Sequence, residues 1–142
     1  MIQTLLGFDF GLKHIGVAIG QTLICTTQPI TSLKAQAGAP YWPDIDKLIA
    51  TWKPHAIVVG IPCNMDGTEH KITHAARRFA NELAKRYHLT IHRMDERLST
   101  VEARAQLFEK GGYRALSKEA IDQRSAQLIL QSWLEGNAKL KP

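Results

Sequence analysis

Leu5-Leu6-Gly7-Phe8-Asp9-Phe10-Gly11 reads as a strand with two unlike faces. With period two, Leu5, Gly7, Asp9 and Gly11 point one way and Leu6, Phe8 and Phe10 the other. A tight turn at Gly11-Leu12-Lys13-His14 leads into Ile15-Gly16-Val17-Ala18-Ile19-Gly20, where large and small residues alternate. The small face lets a helix or a ligand approach the backbone closely. Residues 23–30 predict a third strand, ended by Pro29 and Thr31-Ser32, so the chain opens as an antiparallel meander. Residues 34–40 are small and turn-prone and read as a loop.

Pro43 then suits the first turn of a helix, and Ile45, Leu48, Ile49 and Trp52 follow at i, i+3, i+4, i+7 until Pro54 stops it. Ala56-Ile57-Val58-Val59-Gly60-Ile61 is a continuous apolar run, the pattern of a strand buried on both faces of a parallel sheet. A long helical stripe comes next, formed by Ile72, Ala75, Ala76, Phe79, Ala80, Leu83, Ala84 and Tyr87. Residues 88–94 predict a short strand. Ser99 and Glu102 form a capping box for a helix to about Lys110. Ser117 caps a last helix to about Leu134, with 136–142 expected as a frayed tail. The order βββ-α-β-α-β-α-α predicts one α/β domain over 1–142, a five-stranded mixed sheet with helices on both faces.

Composition changes this picture little. Hydrophobic content of 44% and charged content of 22% suit a soluble globular protein. Lys plus Arg exceed Asp plus Glu by 18 to 13, a net +5 that favours anionic partners such as nucleic acid. Cys25 and Cys63 form no zinc motif, and Cys63 reads as an apolar filler. There is neither a signal-peptide pattern nor an apolar run near the ~20 residues that span a bilayer. A cytoplasmic protein with no membrane partner is expected.

The chemistry centres on Asp9. A carboxylate emerging from a buried strand costs many kcal/mol unless it is neutralised, hydrogen-bonded or metal-bound. A divalent cation shared with Glu96 and Asp122 answers that cost; an Asp-x-Gly turn is the plain alternative. Asp122, Ala126, Ile129 and Trp133 fall on one stripe of the last helix, so Asp122 should face the sheet. Strands one and five end at Asp9 and Glu96, and sites in such sheets gather at the carboxyl ends of strands. Mg²⁺ or Mn²⁺ prefers oxygen ligands and keeps positions open for water and phosphate. Such an ion can activate water for phosphodiester cleavage.

Several blocks, in order, resemble one family. They are Phe8-Asp9-Phe10-Gly11 with Ile15-Gly16-Val17-Ala18, Gly60-Ile61-Pro62 with Asn64-Met65-Asp66-Gly67-Thr68, Asp95-Glu96-Arg97-Leu98-Ser99-Thr100 with Glu102-Ala103, Gly111-Gly112-Tyr113, and Asp122 with Ala126. The chain resembles the YqgF/RuvX family, Holliday-junction-resolvase-like proteins of the RNase H-like fold also described as pre-16S rRNA nucleases. The resemblance implies a metal-dependent hydrolase with catalytic carboxylates at Asp9, Glu96 and Asp122. It implies 5′-end processing of precursor 16S rRNA in ribosome biogenesis, with ribosomal particles as partners. It places the family's loop asparagine at Asn64, where it would orient the site or touch substrate. Lys13, Arg97 and Arg104 lie near these carboxylates and are candidate phosphate contacts. Asp95 remains a competitor for the role of Glu96.

Other readings stay open. A DNA junction resolvase would use the same fold and ions on a symmetric homodimer, so a monomer in solution would count against it. A sugar-kinase or actin type of ATPase shares the opening hairpin but needs two such domains. A non-catalytic RNA- or ribosome-binding factor would use its carboxylates structurally.

Overall fold

A computed structural model of the protein describes residues 3–22, 26–62, 71–95 and 118–140. Strands β1 (Thr4–Asp9), β2 (His14–Gln21), β3 (Thr26–Gln36) and β4 (Ala39–Pro40) precede helix α1 (Trp42–Trp52). Strand β5 (Ala56–Ile61), helix α2 (Lys71–Tyr87), strand β6 (Thr90–Asp95) and helix α3 (Lys118–Leu140) follow. They build one sheet in the order β4-β3-β2-β1-β5-β6. β1 lies at its centre, antiparallel to β2 and parallel to β5, which is parallel to β6 in turn.

The sheet is thus mixed, as expected, but among the described residues it has six strands rather than five. The residues expected as a loop, 34–40, belong instead to a hairpin. Ala37 (φ 50°) and Gly38 (φ 84°) both take positive φ, making a two-residue turn that returns β4 against β3. β3 also does not stop at Pro29. It runs on to Gln36 through an irregularity in register against Val17 and Ala18. Pro29 is tolerated because β4 pairs only with Ala35 and Gln36, leaving β3 an edge strand there. The last helix continues to Leu140, past the expected end near Leu134. The capping box at Ser99 and Glu102, the Ser117 cap and both cysteines lie outside the described residues.

The alternation in β1, β2 and β5 divides the core in two. Leu6, Phe8, Phe10, Ile15, Val17, Ile19, Ile57, Val59 and Ile61 pack with Ile45 of α1 and with Ala76, Phe79, Ala80 and Leu83 of α2. Phe79 is the hub, its ring 5.6 Å from Phe8, 5.3 Å from Phe10 and 5.9 Å from Trp42. On the opposite face Leu5, Ala18, Ala56 and Val58 meet Ala126, Ile129, Leu130 and Leu134 of α3. The Thr73 hydroxyl at the start of α2 donates to the Pro62 carbonyl, tying that helix to the end of β5.

Candidate functional site

Asp9 ends β1 at the carboxyl edge shared with β5 and β6, and glycines surround it. Gly7 precedes it on its own face, and the ladder sets Gly16 of β2 and Gly60 of β5 beside it. The row continues outward to Ser32 of β3 on one side and Met94 of β6 on the other. Laterally paired residues share a face, so this row lies under α3.

The glycine at position 16 decides where α3 sits. A Cβ there would run into the backbone carbonyl of Asp122, so only hydrogen lets the helix lie this close to β2. Gly7 makes a similar contact one layer further on, where a Cβ would stand 2.9 Å from the Leu130 Cβ. Close approach of this kind is what a strand glycine permits. Asp122 thus rests on the cross-strand neighbour of Asp9 and faces the sheet, as the stripe on the last helix predicts.

Asp122 is only 4% exposed. A buried carboxylate needs compensation, and Ser32 supplies part of it, its Oγ donating to Asp122 Oδ2 at 3.1 Å. Asp122 also stands in the first turns of α3, where the positive end of the helix dipole favours an anion. Ser32 lies two strand spacings from Asp9, about 10 Å away, with Asp122 above the strand between them.

These residues fit a hard cation. Asp9 and Asp122 are oxygen donors beside positions without side chains, the ligand type and room that Mg²⁺ or Mn²⁺ takes. Among the described residues no group of three or more His, Cys, Asp or Glu side chains could hold a metal. The third expected carboxylate, Glu96, lies outside the described residues, as do Asn64, Arg97 and Arg104. β6 ends at Asp95, paired with Ile61 one step beyond the Asp9 row. Lys13 is exposed in the bend between β1 and β2, its carbonyl accepting from the Ala35 amide.

Two residues near the acids escape a sequence reading. Ser32 stands where the third strand was expected to have stopped, so no register could set it opposite Gly16. His14 pairs with Lys34 and has the parity of Gly16; its Nδ1 is buried and has no hydrogen-bond partner among the described residues.

The family model for RuvX, described as Holliday junction resolvase, matches residues 3–136. A protein of Pectobacterium carotovorum named "Putative pre-16S rRNA nuclease" is 56% identical over 133 residues, covering 94% of this chain and 96% of its own. One of the same name from Aeromonas hydrophila is 55% identical over 133 residues, covering 94% and 95%. Among solved structures, the Fowlpox virus resolvase with Holliday junction DNA superposes with a TM-score of 0.61 at 11% identity, covering 96% of this chain and 99% of its own. Thermus thermophilus RuvC with a junction substrate gives 0.55 at 11% identity, covering 96% of each. At that identity the likeness is one of fold, the RNase H-like fold of the resolvases. The family match and the relatives' near full-length identity show that this chain belongs to the RuvX family.

Proposed function

We propose that this protein is a metal-dependent nuclease that hydrolyses phosphodiester bonds in RNA, processing the 5′ end of precursor 16S rRNA in the cytoplasm. The observation that carries the proposal is the seating of Asp122 on Gly16, directly across the ladder from Asp9. The name shared by the relatives supports RNA as substrate, and the net charge of +5 suits an anionic one. Among the described residues no helix is long and apolar enough to cross a membrane.

Asp9 and Asp122 would hold the cation, with Glu96 proposed as their third partner. A bound Mg²⁺ or Mn²⁺ lowers the pKa of water and offsets charge on the phosphodiester. The chain's own residues supply the geometry. α3 is pressed onto β2 by Gly16, and Ser32 orients Asp122 through Oδ2. Lys13, Asn64, Arg97 and Arg104 are the proposed contacts to the substrate backbone.

Asp9→Asn and Asp122→Asn should each cut Mg²⁺- or Mn²⁺-dependent cleavage of precursor RNA by on the order of 10³-fold, the several kcal/mol expected of a metal site. If both variants cleave at the parent rate, the site is placed wrongly. If neither parent nor variants cleave while RNA binding and ribosome maturation persist, the protein is a binding factor.

The description of the family model favours one second reading, a resolvase acting on DNA junctions. Symmetric cutting needs two sites on a dimer, so junction cleavage by a sedimenting homodimer, with precursor RNA left intact, would establish it.

A further inference from the structure

We infer that the outer edge of β3 is a track for an unpaired nucleic-acid strand leading away from the carboxylates; the inference rests on the nuclease reading above and specifies the form of its substrate. Three open depressions follow this edge in series. The first, about 430 Å³, lies on the β3–β4 hairpin between Lys34 and Tyr41. The second, about 510 Å³, runs from Ser32 and Lys34 across to Lys47 and Trp52 of α1. The third, about 270 Å³, continues from Trp52 towards Thr26 and Gln28. Neighbouring depressions share a wall residue, Lys34 between the first two and Trp52 between the last two. The 11 residues of β3 span roughly 36 Å, which suits a polymer rather than a small molecule.

The lining has the chemistry of single-strand recognition. Tyr41 is 66% exposed and Trp52 40%, and with Leu12 they are the only large exposed apolar residues among those described. Exposed aromatic rings offer stacking faces to unpaired bases, which a duplex keeps to itself. Lys34 and Lys47 make no ion pair among the described residues, leaving two ammonium groups for phosphates against one carboxylate, Asp44. A protein strand is a poorer occupant. Pro29 has no amide hydrogen to offer, and the β2–β3 register slips beside it, which spoils an edge for strand addition. Ser32 joins track to centre, since it lines the second depression and also bonds Asp122.

The test compares the binding of a blunt RNA duplex with that of the same duplex bearing a single-stranded extension. It uses fluorescence anisotropy in EDTA, so that cleavage is not what is read. The extension should tighten binding about tenfold, and Trp52→Ala should remove that gain while Trp52→Phe keeps most of it. Replacing Lys34 and Lys47 together by Ala should flatten the salt dependence for the extended substrate by about 1.4 in log–log slope, two single-strand phosphate contacts. Lys85→Ala, on α2, controls for the loss of charge, and circular dichroism checks each fold. An extension without benefit, or variants that weaken blunt and extended RNA equally, overturns the track. So would variants that change self-association in sedimentation and leave RNA affinity alone. If blunt duplex is still bound, and cut once Mn²⁺ is added, the nuclease reading survives that failure; if no RNA binds in any form, both fall.

Discussion

The two faces of the central sheet are made from the same strands and built to opposite rules. Towards α1 and α2 they offer Leu6, Phe8, Ile15, Val17, Ile57 and Val59, large side chains that fill the space between layers. Towards α3 they offer Leu5 and Val58 among the smaller Gly7, Gly16, Ala18, Gly20 and Ala56, and at Gly7 and Gly16 the helix comes nearly onto the sheet. The first face gains from buried apolar area, while the second gives up such area for precise placement. Asp9 and Asp122 both lie on the second. The larger apolar cluster thus lies on one side of the sheet and the proposed cation site on the other.

Paired substitutions would separate the two roles most sharply. Phe79→Ala, at the aromatic hub, should cost about 3–5 kcal/mol in urea unfolding and leave turnover of the folded protein near the parent value. Gly16→Ala should cost about 1–3 kcal/mol, since its methyl must push Asp122 away, yet turnover should fall far more than stability. Equal turnover losses in the two variants would erase the distinction.

Ser32→Ala should act more mildly. Removing the donor to a buried carboxylate costs about 1–3 kcal/mol. It should also raise the Mn²⁺ concentration for half-saturation severalfold, as read by calorimetric binding to the protein without substrate. Ser32→Thr, which keeps the hydroxyl, should restore most of both.

The smallest effect concerns pH. His92 stacks on Trp133 of α3, ring centroids 4.5 Å apart, and burial pushes its pKa below the usual value near 6.5. The folded protein therefore favours the neutral ring. Between the lowered pKa and about 6.5 the unfolded chain binds more protons, so stability is full above that window and falls as pH drops through it. His92→Phe should flatten the urea midpoint against pH over this range.

Much of this was legible because the informative residues act locally. The small-large alternation in β2 announced a close-packed layer, and the stripe through Asp122 aimed the last helix at the sheet. The continuous run at Ala56 announced a strand buried on both faces. What escaped depended on neighbours the chain meets only after folding. Pro29 reads as a stop, yet at an open edge its missing amide hydrogen costs nothing. Ala37 gives no hint of the left-handed conformation that makes the hairpin, because the turn is held from outside by the pairing of β3 with β4. Ser32 followed from that mistake, since a strand ended early leaves its hydroxyl without a partner to find.

The seating of Asp122 on Gly16 also has a consequence in time. Asp9 precedes Asp122 by most of the domain, and the last helix can close over β1 and β2 only after those strands have been made. A nascent or prematurely terminated chain carries one acid without the other. Until α3 is in place, the two acids belong to separate stretches of chain and the proposed cation site is incomplete.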